Sequence, residues 1–97
     1  MSTNKQEIIN DIADHFNGIP YNECYIGIAS DIDSQLFNNH NVSEENGHWI
    51  YRPTQSCASA IEIEQRFLNA GMDGEEEGRD NNSTIVYAYR KTLSTIP

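Results

Sequence analysis

The stretch Cys24-Tyr25-Ile26-Gly27-Ile28-Ala29-Ser30-Asp31-Ile32-Asp33-Ser34-Gln35-Leu36 changes character halfway. Cys24 to Ala29 is almost continuously apolar, as expected of a strand covered on both faces. Ser30 or Asp31 then offers a helix cap, and Ile32, Leu36 and Phe37 supply the inward positions of a helix running to about Asn39. A central strand feeding directly into a short helix fixes where the sheet begins and on which side it is first covered.

Upstream, Ile8, Ile12 and Phe16 recur every four residues, with Ile9 and Ala13 beside them. That spacing predicts an amphipathic helix over Asn4 to Phe16, with Thr3 and Gln6 as a capping box and Gly18 and Pro20 as stop signals. Downstream, Asn38 to Gly47 is polar and loop-like, with Glu44 and Glu45 side by side. His48 to Arg52 reads as a second strand ended by Pro53. A third helix is expected from Ser56 to Ala70, stopped by Gly71, with Cys57, Ala60, Ile61, Phe67 and Leu68 as its apolar stripe. Gly71 to Ser83 is rich in Gly, Asp, Glu and Asn and reads as loop. Thr84 to Lys91 is the last strand, with Ile85, Tyr87 and Tyr89 facing one way and Val86 and Ala88 the other. Thr92 to Pro97 is expected to fray.

The order helix, strand, helix, strand, helix, strand predicts an α+β fold: a small three-stranded sheet flanked by helices. Ninety-seven residues suffice for one domain over residues 1–97, of which 1–20 form an N-terminal helix and linker. Six Lys and Arg against 15 Asp and Glu leave a formal charge of −9, which argues against direct nucleic-acid binding. No apolar run approaches membrane-spanning length, and the first ten residues lack an apolar signal core. Two cysteines make no disulfide framework, so a cytoplasmic protein is expected.

Tyr25-Ile26-Gly27 on a strand, followed by the Ser-Asp-Ile-Asp helix start and a downstream Trp strand, resembles the GIY-YIG nuclease superfamily. The likeness is clearest over Tyr25 to His40 and extends more weakly to about Tyr89. It implies a GIY-YIG-like fold in which an N-terminal helix replaces the first hairpin strand. It also implies a site made of Tyr25 as general base or relay, His40 as accessory proton donor and Glu64 as the Mg²⁺ ligand. Independently of that likeness, Glu64 interrupts the apolar stripe of the third helix, so it needs a partner or a place at the rim.

Two departures bear on activity. Gln35 occupies the position of the family's catalytic Arg, and Gln cannot carry the positive charge that stabilises a phosphate in transition. The first Tyr motif of the family is also missing, its place being taken by helix residues around Asp11 to Asp14. The expectation is therefore a non-catalytic, degenerate nuclease-like domain that needs no cofactor and acts as an acidic protein-interaction module. Its partner would be a basic protein surface, such as a nucleic-acid-handling protein inhibited in the manner of phage or mobile-element inhibitors. Gln35, Glu75, Glu76 and Glu77 are the residues expected to bind it. The alternative is a metal-dependent GIY-YIG-type endonuclease, with Mg²⁺ on Glu64 and Arg52 or Arg66 in place of the missing Arg. A weaker reading places calcium on the loop that begins at Asp73, although Thr84 stands where a bidentate Glu belongs.

Overall fold

The computed structural model of the protein describes residues 4–31, 33–45, 47–74, 83–93 and 95–96. Helix α1 spans Lys5–His15. Its first turn is capped by Asn4, whose side chain accepts from the N–H groups of Gln6 and Glu7 at 2.9 and 3.2 Å. Thr3, expected to cap this helix, lies outside the described residues. A 3-10 turn, Tyr21–Glu23, leads into strand β1, Cys24–Ala29. A π-helical segment, Asp33–Asn39, follows where the spacing predicts an α-helix. Strand β2 is Trp49–Pro53, helix α2 is Cys57–Ala70 and strand β3 is Ile85–Arg90.

The three strands form an antiparallel sheet in the order β1-β3-β2, so the last strand is the central one, and Cys24–Ala29, expected to be central from its apolar run, is an edge strand whose two faces are nonetheless both covered. The architecture is the expected α+β one, a three-stranded sheet with helices on its faces. Among the described residues, no helix is long and apolar enough to cross a membrane.

Alternation along each strand sorts the side chains by face. Cys24, Ile26, Ile50, Val86 and Ala88 meet Ile8, Ile12 and Phe16 of α1 and Ile63 and Phe67 of α2 in one core. Tyr25, Ala29, Tyr87 and Tyr89 look the other way and meet Leu36 and Val42. The outer edge of β1 is partly covered by the main chain of Asp73, which bonds Cys24 and Ile26.

Helix α2 begins as expected, with the Ser56 side chain accepting from Ser59 N–H at 3.1 Å. It ends at Gly71, whose φ of +121° suits glycine. Its buried stripe differs from the expected one. Ile63 and Glu64 are fully buried, whereas Cys57, Ile61 and Leu68 are half-buried. The stripe is turned because α2 lies over both β1 and β3 and also contacts α1, so Ile63 points into the shared core.

Candidate functional site

The second face of the sheet carries a compact aromatic cluster. Register brings Tyr25 of β1 opposite Tyr89 of β3, and Gly27 opposite Tyr87. Tyr25 and Tyr89 stack with ring centres 5.3 Å apart. Gly27 has a packing reason to lack a side chain, because a methyl there would overlap the Tyr87 ring. The chain leaving the π-helical segment then lays His40 onto these rings. Its centre is 4.8 Å from Tyr25, 5.5 Å from Tyr87 and 5.2 Å from Tyr89.

Both nitrogens of His40 have partners. Nδ1 lies 2.6 Å from the Ile96 carbonyl oxygen, which can only accept, so the hydrogen sits on Nδ1. Tyr89 Oη lies 3.0 Å from that same nitrogen. Nε2 lies 2.8 Å from the Tyr87 hydroxyl oxygen. Burial, reinforced by Tyr25, Tyr87 and Asp73, holds the Tyr89 phenol far above its ordinary pKa, so it stays protonated. The ring of His40 is thus tied to two tyrosine hydroxyls and a main-chain carbonyl. Tyr25 and His40 are each only 5% exposed, whereas a general base must reach the proton it takes.

Tyr25 and His40 are therefore brought together, ring against ring. Glu64 belongs to the opposite layer: it stands on α2, which packs on the other face of the sheet through Ile63 and Phe67. It is 0% exposed, so the rim position open to it on sequence grounds is not the one it takes. Gln35 lies within the π-helical segment. Glu75, Glu76 and Glu77 lie outside the described residues. Among the described residues, no group of three or more His, Cys, Asp or Glu side chains is placed to hold a metal. Asp73 makes an ion pair with Lys91, and most of the loop that follows it lies outside the described residues.

Tyr87 and Tyr89, which alternation places on one face of the last strand, are the hydrogen-bond partners of His40. Their shared face was readable from alternation, but the register against Tyr25 was not. Ile96 had no sequence signal at all. Cys24 behaves as a packing residue: burial raises its thiol pKa, and Sγ points at the Pro20 carbonyl at 3.7 Å.

A histidine pair sits where α1 meets the start of β2. The rings of His15 and His48 are 4.4 Å apart, and His48 Nε2 lies 2.5 Å from the His15 carbonyl oxygen. Burial, His48 and Arg52 lower the His15 pKa, against a raising bond to the Trp49 main chain. An open groove of about 820 Å³ runs between α1 and α2 past Ile9, Ile61 and Arg66, and the Lys5–Glu62 ion pair lines it. It shares no residue with the tyrosine–histidine cluster.

Comparison of the chain with protein-family models, curated proteins and solved structures returned no match.

Proposed function

We propose that this chain is a non-catalytic, nuclease-like module that acts by binding a basic protein surface. One observation carries the non-catalytic part of that reading; the nuclease-like part rests on the sequence likeness over Tyr25 to His40. Tyr25 and His40 are buried against one another under the tyrosine cluster, and Glu64 stands in the opposite layer of the fold. A metal–phosphate site needs these groups around one accessible point. Gln35 in place of an Arg supports the same conclusion.

Charge supports the second half. Lys5, Arg52, Arg90 and Lys91 are taken up in ion pairs with Glu62, Asp11, Glu23 and Asp73. Outside these four pairs the sequence holds eleven acidic residues and two arginines. A field of that sign steers basic partners and repels nucleic acid. A nucleic-acid-handling protein, inhibited by occupation of its own binding site, is the partner class this field suits. A cytoplasmic working place belongs to the same proposal and agrees with two free cysteines.

The test has two arms. Supercoiled plasmid and single-stranded substrates are incubated with the protein and Mg²⁺ or Mn²⁺, and no cleavage is expected. Cleavage abolished by Glu64→Gln in a folded variant would restore the endonuclease reading. In the second arm, binding to basic proteins is followed as salt is raised, and should weaken. Reversal of Glu75, Glu76 and Glu77 to Lys should slow association more than it speeds dissociation.

A further inference from the structure

We propose that the partner's basic side chains dock on an aromatic ledge formed by Phe37, Trp49 and Tyr51 at the β2 edge of the sheet. This deepens the functional reading above and rests on it. Trp49 and Tyr51 are on the same face of β2, and their rings stack nearly parallel, 9° apart in plane and 6.0 Å between centres. Phe37 meets Trp49 edge-on at 5.1 Å and fixes its orientation. The ledge thus continues the buried tyrosine layer out to solvent, where Tyr51 is 41% exposed. A cleft of about 280 Å³ opens beside it, lined by His15, Trp49, Ile50, Tyr51 and Arg52.

Charge selects the occupant. The turn carrying Glu44 and Glu45 is held against the ledge, because the Trp49 indole N–H donates to the Glu44 carbonyl oxygen at 3.2 Å. Both glutamates are exposed. Arg52, the cation nearest in sequence to Tyr51, is balanced by Asp11 at 3.2 Å. Aromatic faces bordered by carboxylates attract guanidinium and ammonium groups. A second copy of this chain is the wrong occupant, since it would bring another −9 surface against the first.

Main-chain chemistry decides how the partner is read. Even-numbered residues of β2 bond β3, as Arg90 N–H to His48 O and Thr54 N–H to Thr84 O show, so residues 49, 51 and 53 turn their main chain outward. Pro53 has no N–H to offer, and the Tyr51 carbonyl already accepts from Arg52 Nη1 at 2.8 Å. An edge so blunted is a poor template for an added strand. Recognition therefore falls to side chains on the aromatic faces.

The experiment is an NMR titration of the whole chain with short capped peptides that alternate Ser with Arg, Lys or Glu. The Arg and Lys peptides should move the Trp49 indole and Tyr51 signals, Arg the more strongly, and the Glu peptide should not. Tyr51→Ala should weaken Arg-peptide binding about threefold to tenfold, while Tyr51→Phe, which keeps the ring, should bind as the native chain does. Basic peptides that bind without moving the ledge signals, and equally well to Tyr51→Ala, would overturn the ledge and leave the basic-partner reading standing. No binding of either basic peptide at low salt would overturn both.

Discussion

His40 and Ile96 bond each other twice, once through each residue's carbonyl. The Ile96 N–H donates to the His40 carbonyl at 2.8 Å, and the His40 ring returns a bond to the Ile96 carbonyl at 2.6 Å. The last residues of the chain are thereby tied across the tyrosine cluster at one point, where the sequence suggested a tail without anchorage. Ile96 itself is 59% exposed, so the tie is polar and does not depend on burying its side chain.

Removing either end of that tie should release the other. His40→Ala leaves the Tyr87 and Tyr89 hydroxyls without their ring partner and opens a buried space. A loss of about 2–4 kcal/mol is expected in urea unfolding. Deleting residues 92–97 should cost less, about 1 kcal/mol, because the freed ring nitrogen gains access to water. The two losses should be less than additive when combined, since both remove the same bonds. Amide exchange at Ile96 should be protected in the native chain and unprotected in His40→Ala.

Gly27 is the second place where the cluster can be tested. A Cβ there would stand 2.9 Å from Tyr87 Cε2 and closer still to the hydroxyl. Gly27→Ala should therefore push the Tyr87 ring off His40 and destabilise by about 1–3 kcal/mol, as overpacking does. The Tyr87 ring signals should shift in the NMR spectrum, whereas those of Phe67 in the other core should not.

Much of this fold could be read before any coordinates. The strand at Cys24, the alternation of Ile85 to Tyr89 and the Ser56 and Gly71 signals around α2 depend on short-range patterns, and each element appears along the chain where those patterns place it, although the Cys24 strand takes an edge of the sheet and not its centre. What failed depends on tertiary geometry. The stripe of α2 was misaligned because Ile61 and Ile63 are equally apolar, and only the contact with β1 and β3 chooses between them. Tyr25 and Glu64 are correctly placed on a strand and a helix. Which side of the sheet that helix covers is a matter of chain crossing, which residue types do not encode. The partners of His40 come from β3 and from residue 96, too far along the chain for any local motif to join them.

Glu62 and Glu64 make a contrast two residues apart on α2. Glu62 is exposed and pairs with Lys5 across the surface of the two helices. Glu64 is fully buried in the same helix. Glu62→Ala should cost no more than about 1 kcal/mol, because water screens exposed pairs. Glu64→Ala should cost about 2–4 kcal/mol, since it removes a buried polar group from its surroundings and leaves a cavity. Thermal unfolding of the two variants under one buffer decides the matter. Equal losses would mean that Glu64 contributes no more than a surface residue.

The His15–His48 contact makes stability depend on pH in a defined direction. Burial, then the neighbouring His48 and Arg52, lower the His15 pKa in the folded chain, against the raising contribution of the Trp49 main chain. In the unfolded chain the same group titrates near its ordinary value of about 6.5. Below that value the unfolded state binds a proton that the folded state resists, so protonation favours unfolding. Stability from this group is therefore fully present above about pH 7 and is lost as pH falls through about 6.5 toward the lowered folded pKa. Urea midpoints measured between about pH 7.5 and 5, where carboxylates remain largely ionised, should fall with pH in the native chain. His15→Gln carries no titrating group at that position and should flatten the profile. A native profile that stays level over this range would show that His15 accepts its proton as readily folded as unfolded.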